Sequence, residues 1–185
     1  MLSGDASVGP ATRVDPVLRQ VAREVEAHVA ASGWDQPARL YALVPTSELL
    51  VAEPVLAAAL GLDEAAAAGT LTPVEQDEVT ADEDLEDVLG AIMWPPQVVG
   101  CAAVVERLVL PPEAESQLPG DAEETARFAA AHPERQEVRM AAAVTRDGRA
   151  HCALRLRTHD DDSDVLDAPD LVPRLVSLLA ETLVD

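Results

Sequence analysis

All 13 Lys+Arg positions of this chain are arginines, set against 34 Asp and Glu, and six of them crowd between Arg135 and Arg157. Upstream the balance reverses. No base stands between Arg39 and Arg107, while Glu75 to Asp87 alone carries eight acids. A guanidinium is a planar fork that bonds carboxylate or phosphate in pairs of hydrogen bonds, so a positive island in an acidic chain has two uses. Carboxylates of the same fold can neutralise it, with Glu134, Glu137 and the acidic stretch after His159 as the nearest suppliers. Alternatively Arg139, Arg155 and Arg157, with His151 beside them, can hold an anion or an acidic segment of a partner. Internal neutralisation is the expected arrangement.

Other residue types capable of chemistry fail on spacing. Asp160, Asp162 and Asp164 alternate like the opening of a calcium loop, but Val165 stands where that loop needs glycine and Leu171 where it needs its bidentate acid. His151 and Cys152 are neighbours on one strand and point to opposite faces, and His159 with Asp160 finds no third ligand, so no metal is expected. Cys101 sits in an all-apolar run and Cys152 on a core face, where a thiol becomes a poor nucleophile. The chain has no glycine-rich phosphate loop, nucleophile elbow or metalloprotease motif. Neither a catalytic residue nor a cofactor is expected, and a non-catalytic role is favoured over an enzymatic one. Trp94, followed by Pro95 and Pro96, closes a helix or lines a binding groove.

These side chains must be positioned by elements that the pattern reveals. Asp15 and Pro16 open an amphipathic helix with Val17, Leu18, Val21, Val25 and Val29 at helical spacing, stopped by Gly33. Arg39 to Thr46 reads as a strand, Ser47 to Leu60 as a helix broken at Pro54 with Gly61 after it, and Thr70 to Val79 as a strand that Pro73 confines to an edge. From Asp82, Leu85, Val88, Leu89 and Ile92 stripe an acidic helix; Val98 to Leu110 reads as a central strand covered on both faces. After a loop holding Pro111, Pro112 and Pro119, Asp121 and Glu124 open a short helix ending near His132. Glu137 to Thr145 and Arg149 to Arg157 form a hairpin, Asp160 to Asp167 an acidic loop, and Asp170 caps a last helix striped by Val172, Leu175, Val176, Leu179 and Leu183. The expected fold class is α+β, a mostly antiparallel sheet of about five strands with helices packed on it.

The hairpin register follows from the side-chain types. A two-residue turn at Asp147-Gly148 would pair Val144 with His151 and Met140 with Arg155, mixing apolar and charged groups on both faces. A three-residue loop, Arg146 to Gly148 with Gly148 left-handed, instead sets Val138, Met140, Ala142 and Val144 against Leu156, Leu154, Cys152 and Ala150 on the core side. The other face then carries Glu137 opposite Arg157, Arg139 opposite Arg155 and Ala143 opposite His151. Two directly opposed arginines are unfavourable unless something anionic lies between them.

With 185 residues the chain suffices for one domain that buries roughly 70% of its unfolded surface. Residues 1–13 are expected to be a disordered tail and 14–185 a single α+β domain. Only Trp34, Tyr41, Trp94 and Phe128 are aromatic, so the core is built from Val, Leu and Ala. A formal charge of -21 repels phosphate backbones and anionic bilayers, which excludes nucleic acid and membrane as partners. The longest apolar run, Val98 to Val105, is far below the ~20 residues of a spanning helix, and the N-terminus lacks a leader pattern, so a cytoplasmic location is expected.

The stretches WPPQVVGCAAVVERLVLPP (Trp94 to Pro112) and AAAVTRDGRAHCALRLRTHDDD (Ala141 to Asp162) resemble those of a family of uncharacterised conserved proteins from high-GC Gram-positive bacteria, from about Asp15 to the end. The absence of Lys and Asn and the single Ile agree with a GC-rich genome. That resemblance implies no activity and supplies no site residues. The element order is also similar to that of secretion-chaperone-like α+β domains, small acidic proteins that bind partner polypeptides and often dimerise. The second likeness is one of topology alone. The expected function is a non-catalytic cytoplasmic interaction module, chaperone- or adaptor-like, that binds a partner polypeptide or a second copy of itself. The alternative is a small anionic-ligand binder or enzyme using the Arg139, Arg155, Arg157 and His151 face.

Overall fold

Asp15 opens the first helix, α1 (Pro16–Ala30), with its carboxylate accepting from the backbone N–H groups of Val17 and Leu18, and Pro16 occupies a position where no N–H is needed. The computed structural model describes residues 14–65, 67–76, 79 and 85–184. The expected tail (1–13) and the acidic lead-in at 82–84 lie outside the described residues. Strand β1 (Arg39–Pro45) is followed by two short helices, α2 (Thr46–Ala52) and α3 (Pro54–Ala59), separated where Pro54 cannot continue a helix. Then come β2 (Leu71–Glu75), α4 (Leu85–Ala91), β3 (Gly100–Val109), α5 (Pro112–Glu115) and α6 (Ala122–Ala131). The hairpin is β4 (Gln136–Thr145) and β5 (Ala150–Leu156), and the chain closes with β6 (Leu166–Ala168) and α7 (Pro173–Glu181).

The fold is α+β, with one antiparallel sheet in the order β2-β1-β3-β4-β5-β6 and helices packed on it. The sheet has six strands where about five were expected. The addition is β6, which lies in the stretch read as acidic loop; three residues of mixed polarity carry too little alternation to announce a strand, and pairing with β5 creates it. A second difference is at α5, where Pro112 takes the first helical position inside what read as a proline loop. A third is at α7: Val172, not Asp170, is its N-cap, and no side chain caps it.

The hairpin pairs Arg139 with Arg155, Met140 with Leu154 and Ala142 with Cys152, as the three-residue loop requires, and Gly148 has φ +81°. Val138 and Cys152 are buried, whereas Met140, Leu154 and Leu156 are half-buried, Met140 because it lines a groove beside α7. Two-sided cover, expected for β3, extends to both faces of the hairpin as well, which its pattern concealed. On one, α4 and α7 pack Leu85, Leu89, Leu175 and Leu179 against Cys101, Ala103, Val105, Ala142 and Cys152. On the other, α1 lays Leu18, Val21, Ala22, Val25 and Val29 over Tyr41, Leu43, Ala102, Val104, Ala141 and Ala153. Each buried Val or Leu contributes about 1.5–3 kcal/mol of transfer free energy, so the two layers anchor the sheet independently. The alanines that fill β3, β4 and β5 let both layers approach closely.

Candidate functional site

The arginine face, for which internal neutralisation was expected, lies under α1. Arg139 is 0% exposed and Arg155 3%. Their charge is met by Glu26, which projects from the buried stripe of α1 and is itself 1% exposed. Arg155 holds Glu26 in a fork, Nε to Oε1 at 2.7 Å and Nη2 to Oε2 at 2.9 Å, while Arg139 Nη1 stands 3.6 Å from the same Oε1. Arg139 donates also to Glu106 Oε1, from Nε at 3.0 Å and Nη2 at 2.7 Å, and to the Gly33 carbonyl. Glu106 is the cross-strand partner of Arg139 on β3. Its other oxygen accepts from the backbone N–H of Asp35 at 2.7 Å, so one carboxylate ties the sheet to the turn after α1.

Around this pair the chain adds a rim. Asp162, in the single turn Asp162–Asp164 before β6, accepts from Arg155 Nη2 at 2.7 Å, and Asp160 from Nη1 at 3.3 Å. Trp34 lies 4.3 Å from the Arg139 guanidinium carbon and 5.6 Å from that of Arg157, two cation–π contacts on one ring. Arg157, just past β5, is exposed and bonds Asp35 and Glu137, whose carbonyl also accepts from the Arg157 backbone N–H. The hydrogen bonds that Arg155 donates to Glu26 and Asp162 hold its guanidinium still further above its ordinary value, so its charge is permanent.

His151 occupies the same face but a separate cluster. It is fully buried, with Nε2 3.0 Å from Asp167 Oδ1, and Asp167 also receives Arg19 Nε and Arg23 Nη1, both at 2.8 Å, from α1. Burial alone would raise Asp167, but the hydrogen bonds from Arg19, His151 and Arg23 outweigh it and hold the carboxyl well below the usual range. Trp94 is elsewhere: it packs on the α7 side of the sheet and donates from Nε1 to Thr182 Oγ1 at 2.9 Å. The fold therefore brings Arg139, Arg155 and Arg157 together, sets His151 beside them, and leaves Trp94 on the opposite face. Among the described residues no three His, Cys, Asp or Glu side chains converge to hold a metal ion, and no helix is long and apolar enough to cross a membrane.

Glu26, Glu106 and Trp34 were the partners that sequence reasoning missed. For Glu26 the signal was present, since it falls four residues after Ala22 and one after Val25, on the stripe that α1 buries. A carboxylate in an apolar stripe requires a cation across from it.

A cluster of exposed apolar side chains lies around α2 and α3. Val51 and Val55 are 85% and 84% exposed, and Leu56 and Leu60 stand open beside them. A groove of about 360 Å³ runs from there between α1 and β2, walled by Val25, Leu56, Leu60, Pro73 and Val74. Tyr41, His28, Glu24 and Glu75 bring polar groups into it, with Glu75 held by Arg39 at 2.7 Å.

The chain matches the model of the PPA1309-like protein family over residues 18–184 and belongs to that family. The matched span includes every element from β1 to α7 and all but the first two residues of α1. No curated protein and no solved structure matches the chain.

Proposed function

We propose that this protein is a non-catalytic interaction module of the cytoplasm, one that holds a partner polypeptide on the apolar surface of α2 and α3. One observation carries the reading. Helix α3, with Leu60 after it, has no charged or polar side chain and yet buries only Ala57. A helix of that composition is normally a core helix, and leaving its apolar side chains in water is unfavourable unless another surface covers them. The charged groups that could have done chemistry support the same reading, because their carboxylate partners are internal. A second copy is a poor occupant: each chain carries a formal charge of -21, and like-charged surfaces repel. Val51→Asp/Val55→Asp tests the proposal by chemical cross-linking and mass spectrometry in native lysate at mild salt. A partner joined to the wild type through α2 or α3 and lost from the variant supports it; equal recovery, or none from either, overturns it.

A second reading, binding of a small anionic amphiphile, has its own observation at a place other than the arginine cluster. Between α4, α7 and the sheet lies a groove of about 490 Å³ lined by Leu85, Val105, Met140, Leu175 and Leu178, with Arg107 at its margin. Arg107 donates to the Glu106 carbonyl and has no carboxylate partner among the described residues. An apolar groove of this size, walled also by the Arg174–Glu86 ion pair and with one cation that no carboxylate among the described residues engages, suits a carboxylate on an aliphatic chain. Decanoate is the probe. Saturable shifts of Met140 and Leu178 methyl resonances, weakened by Arg107→Gln, support this reading, and their absence removes it.

A further inference from the structure

We infer that the groove between α1, β2 and α3 seats a basic side chain of the partner, a Lys or Arg on an amphipathic segment whose apolar residues cover α3. The inference rests on the reading of α3 as a docking surface and names the chemistry of what docks. Leu56 and Leu60 belong both to the exposed face of α3 and to the wall of the groove, so the two are one continuous surface.

One polar group in that groove lacks a partner, and an exposed carboxylate lines the groove with it. Tyr41 is 3% exposed, and its buried hydroxyl has no hydrogen-bond partner. Buried hydroxyls in native folds are nearly always bonded, so an orphan one at the edge of a groove marks a place where a donor or acceptor is to arrive. Glu24 stands on α1 beside it, and among the described residues only His28, one turn on, answers its charge. Desolvation by the surrounding protein, only partly offset by the charge of His28, raises the Glu24 carboxyl above its ordinary value, and a second cation beside it would favour the ionised form. An ammonium has three donors and no acceptor, and a guanidinium five; either can bond Glu24 and the Tyr41 oxygen together.

The sign of the neighbouring charge selects the same partner. Glu48 within α2, Glu53 between α2 and α3, and Asp63 and Glu64 after α3 make this stretch acidic, and Arg39 is already engaged by Glu75. An acidic segment, an anionic bilayer or a second copy of this chain would bring like charge to that rim. A basic amphipathic segment brings opposite charge and an apolar face in one element.

The probe is a fluorescein-labelled helical peptide with a leucine face and a lysine face, and its twin with every lysine replaced by glutamine. Anisotropy is read at about 150 mM salt, where screening over roughly 8 Å suppresses general attraction to an acidic protein. The lysine peptide is expected to bind saturably and its twin about tenfold more weakly. Val55→Asp should abolish binding of both. Glu24→Gln should weaken the lysine peptide about tenfold and leave the twin unchanged, and Tyr41→Phe should weaken it severalfold without lowering the melting temperature, since no internal bond is lost. Glu123→Gln, on α6 and far along the chain from the groove, is the charge control and should change nothing. Equal binding of the two peptides, with both lost in Val55→Asp, overturns the cation seat and leaves the docking surface standing. Binding of neither peptide, or binding that Val55→Asp does not touch, overturns both. If Glu123→Gln weakens binding as much as Glu24→Gln, the attraction is general and the inference falls.

Discussion

Arg139 and Arg155 stand directly opposite each other across β4 and β5, and one carboxylate, Glu26 of α1, lies within ion-pair distance of both. Opposed like charges destabilise a strand pair, and the helix that covers them supplies the counter-charge. The burial of this face and its compensation are therefore a single fact: α1 can pack there because Glu26 comes with it, and the two arginines can be buried because α1 brings Glu26. A second carboxylate, Glu106, comes from β3, so the cluster links α1 with three strands.

Removing one member of such a group leaves buried charge without a partner, which costs far more than the pair contributes net. Glu26→Ala is expected to lower stability by about 3–5 kcal/mol in urea unfolding. Arg155→Ala should also destabilise, and added phosphate or sulfate should shift the melting temperature of wild type and variant alike. A wild-type rise with anion concentration that Arg155→Ala lacks would instead mean that an external anion reaches the cluster, because ligand linkage acts only on the fold that binds it.

Asp167 sets an acid limit on stability. Its carboxyl is held below the usual range in the fold and returns to about 3.9 on unfolding, so the stability it contributes is present above roughly pH 4 and is lost as pH falls through the folded value. Asp167→Asn should flatten the acid limb of a stability-against-pH curve and cost about 2 kcal/mol near neutrality, because Arg19 and Arg23 lose the negative charge they share and an NH2 group replaces one of the two carboxylate oxygens beside them and His151. An unchanged acid limb would show that other carboxylates, Asp15 and Asp147 among them, carry the dependence.

Local signals located most of the elements, and a contact between distant residues decided the site. The Asp15-Pro16 start of α1, the break at Pro54 and the Arg139–Arg155 register each depend on neighbours in sequence or on the two-residue period of a strand, and each was legible. The pattern of β4 and β5 also reads as half-buried, with one charged face. It cannot report that a helix over a hundred residues earlier covers that face, because the information is a single glutamate on the stripe of α1. β6 was hidden for a related reason: Leu166, Asp167 and Ala168 become a strand only by pairing with Leu154, Ala153 and Cys152. Both cases are tertiary context overriding local composition.

Thiol chemistry is the next expectation. Cys101 and Cys152 are both fully buried. Burial pushes the Cys101 thiol up to about 11 and raises Cys152 as well, so the thiolate that reacts is scarce in the fold. A disulfide reagent in native buffer should titrate neither cysteine quickly, and both should react at once in urea. A fast stoichiometric phase in native buffer would mean that one thiol is reached without global unfolding.

Two glycines separate backbone approach from backbone freedom. A Cβ at Gly100, where β3 begins, would lie 2.4 Å from the Val144 carbonyl oxygen and 3.1 Å from Thr145 Cα, both on β4. Backbone atoms cannot swing away as a side-chain tip can, so Gly100→Ala must push β3 and β4 apart beside the Arg146 N–H bond to the Val99 carbonyl. The expected cost is about 1–3 kcal/mol, the range for overpacking a tight site, or a melting temperature lower by a few to about ten degrees for a chain of this length. At Gly90, inside α4, an added Cβ meets nothing within 4 Å. Gly90→Ala should therefore stabilise by roughly 0.5–1 kcal/mol through the entropy it removes from the unfolded chain. Opposite signs from the same substitution, measured by urea unfolding of the two variants, are the expected result, and a neutral Gly100→Ala would show that the close approach of β3 to β4 is not a constraint on the fold.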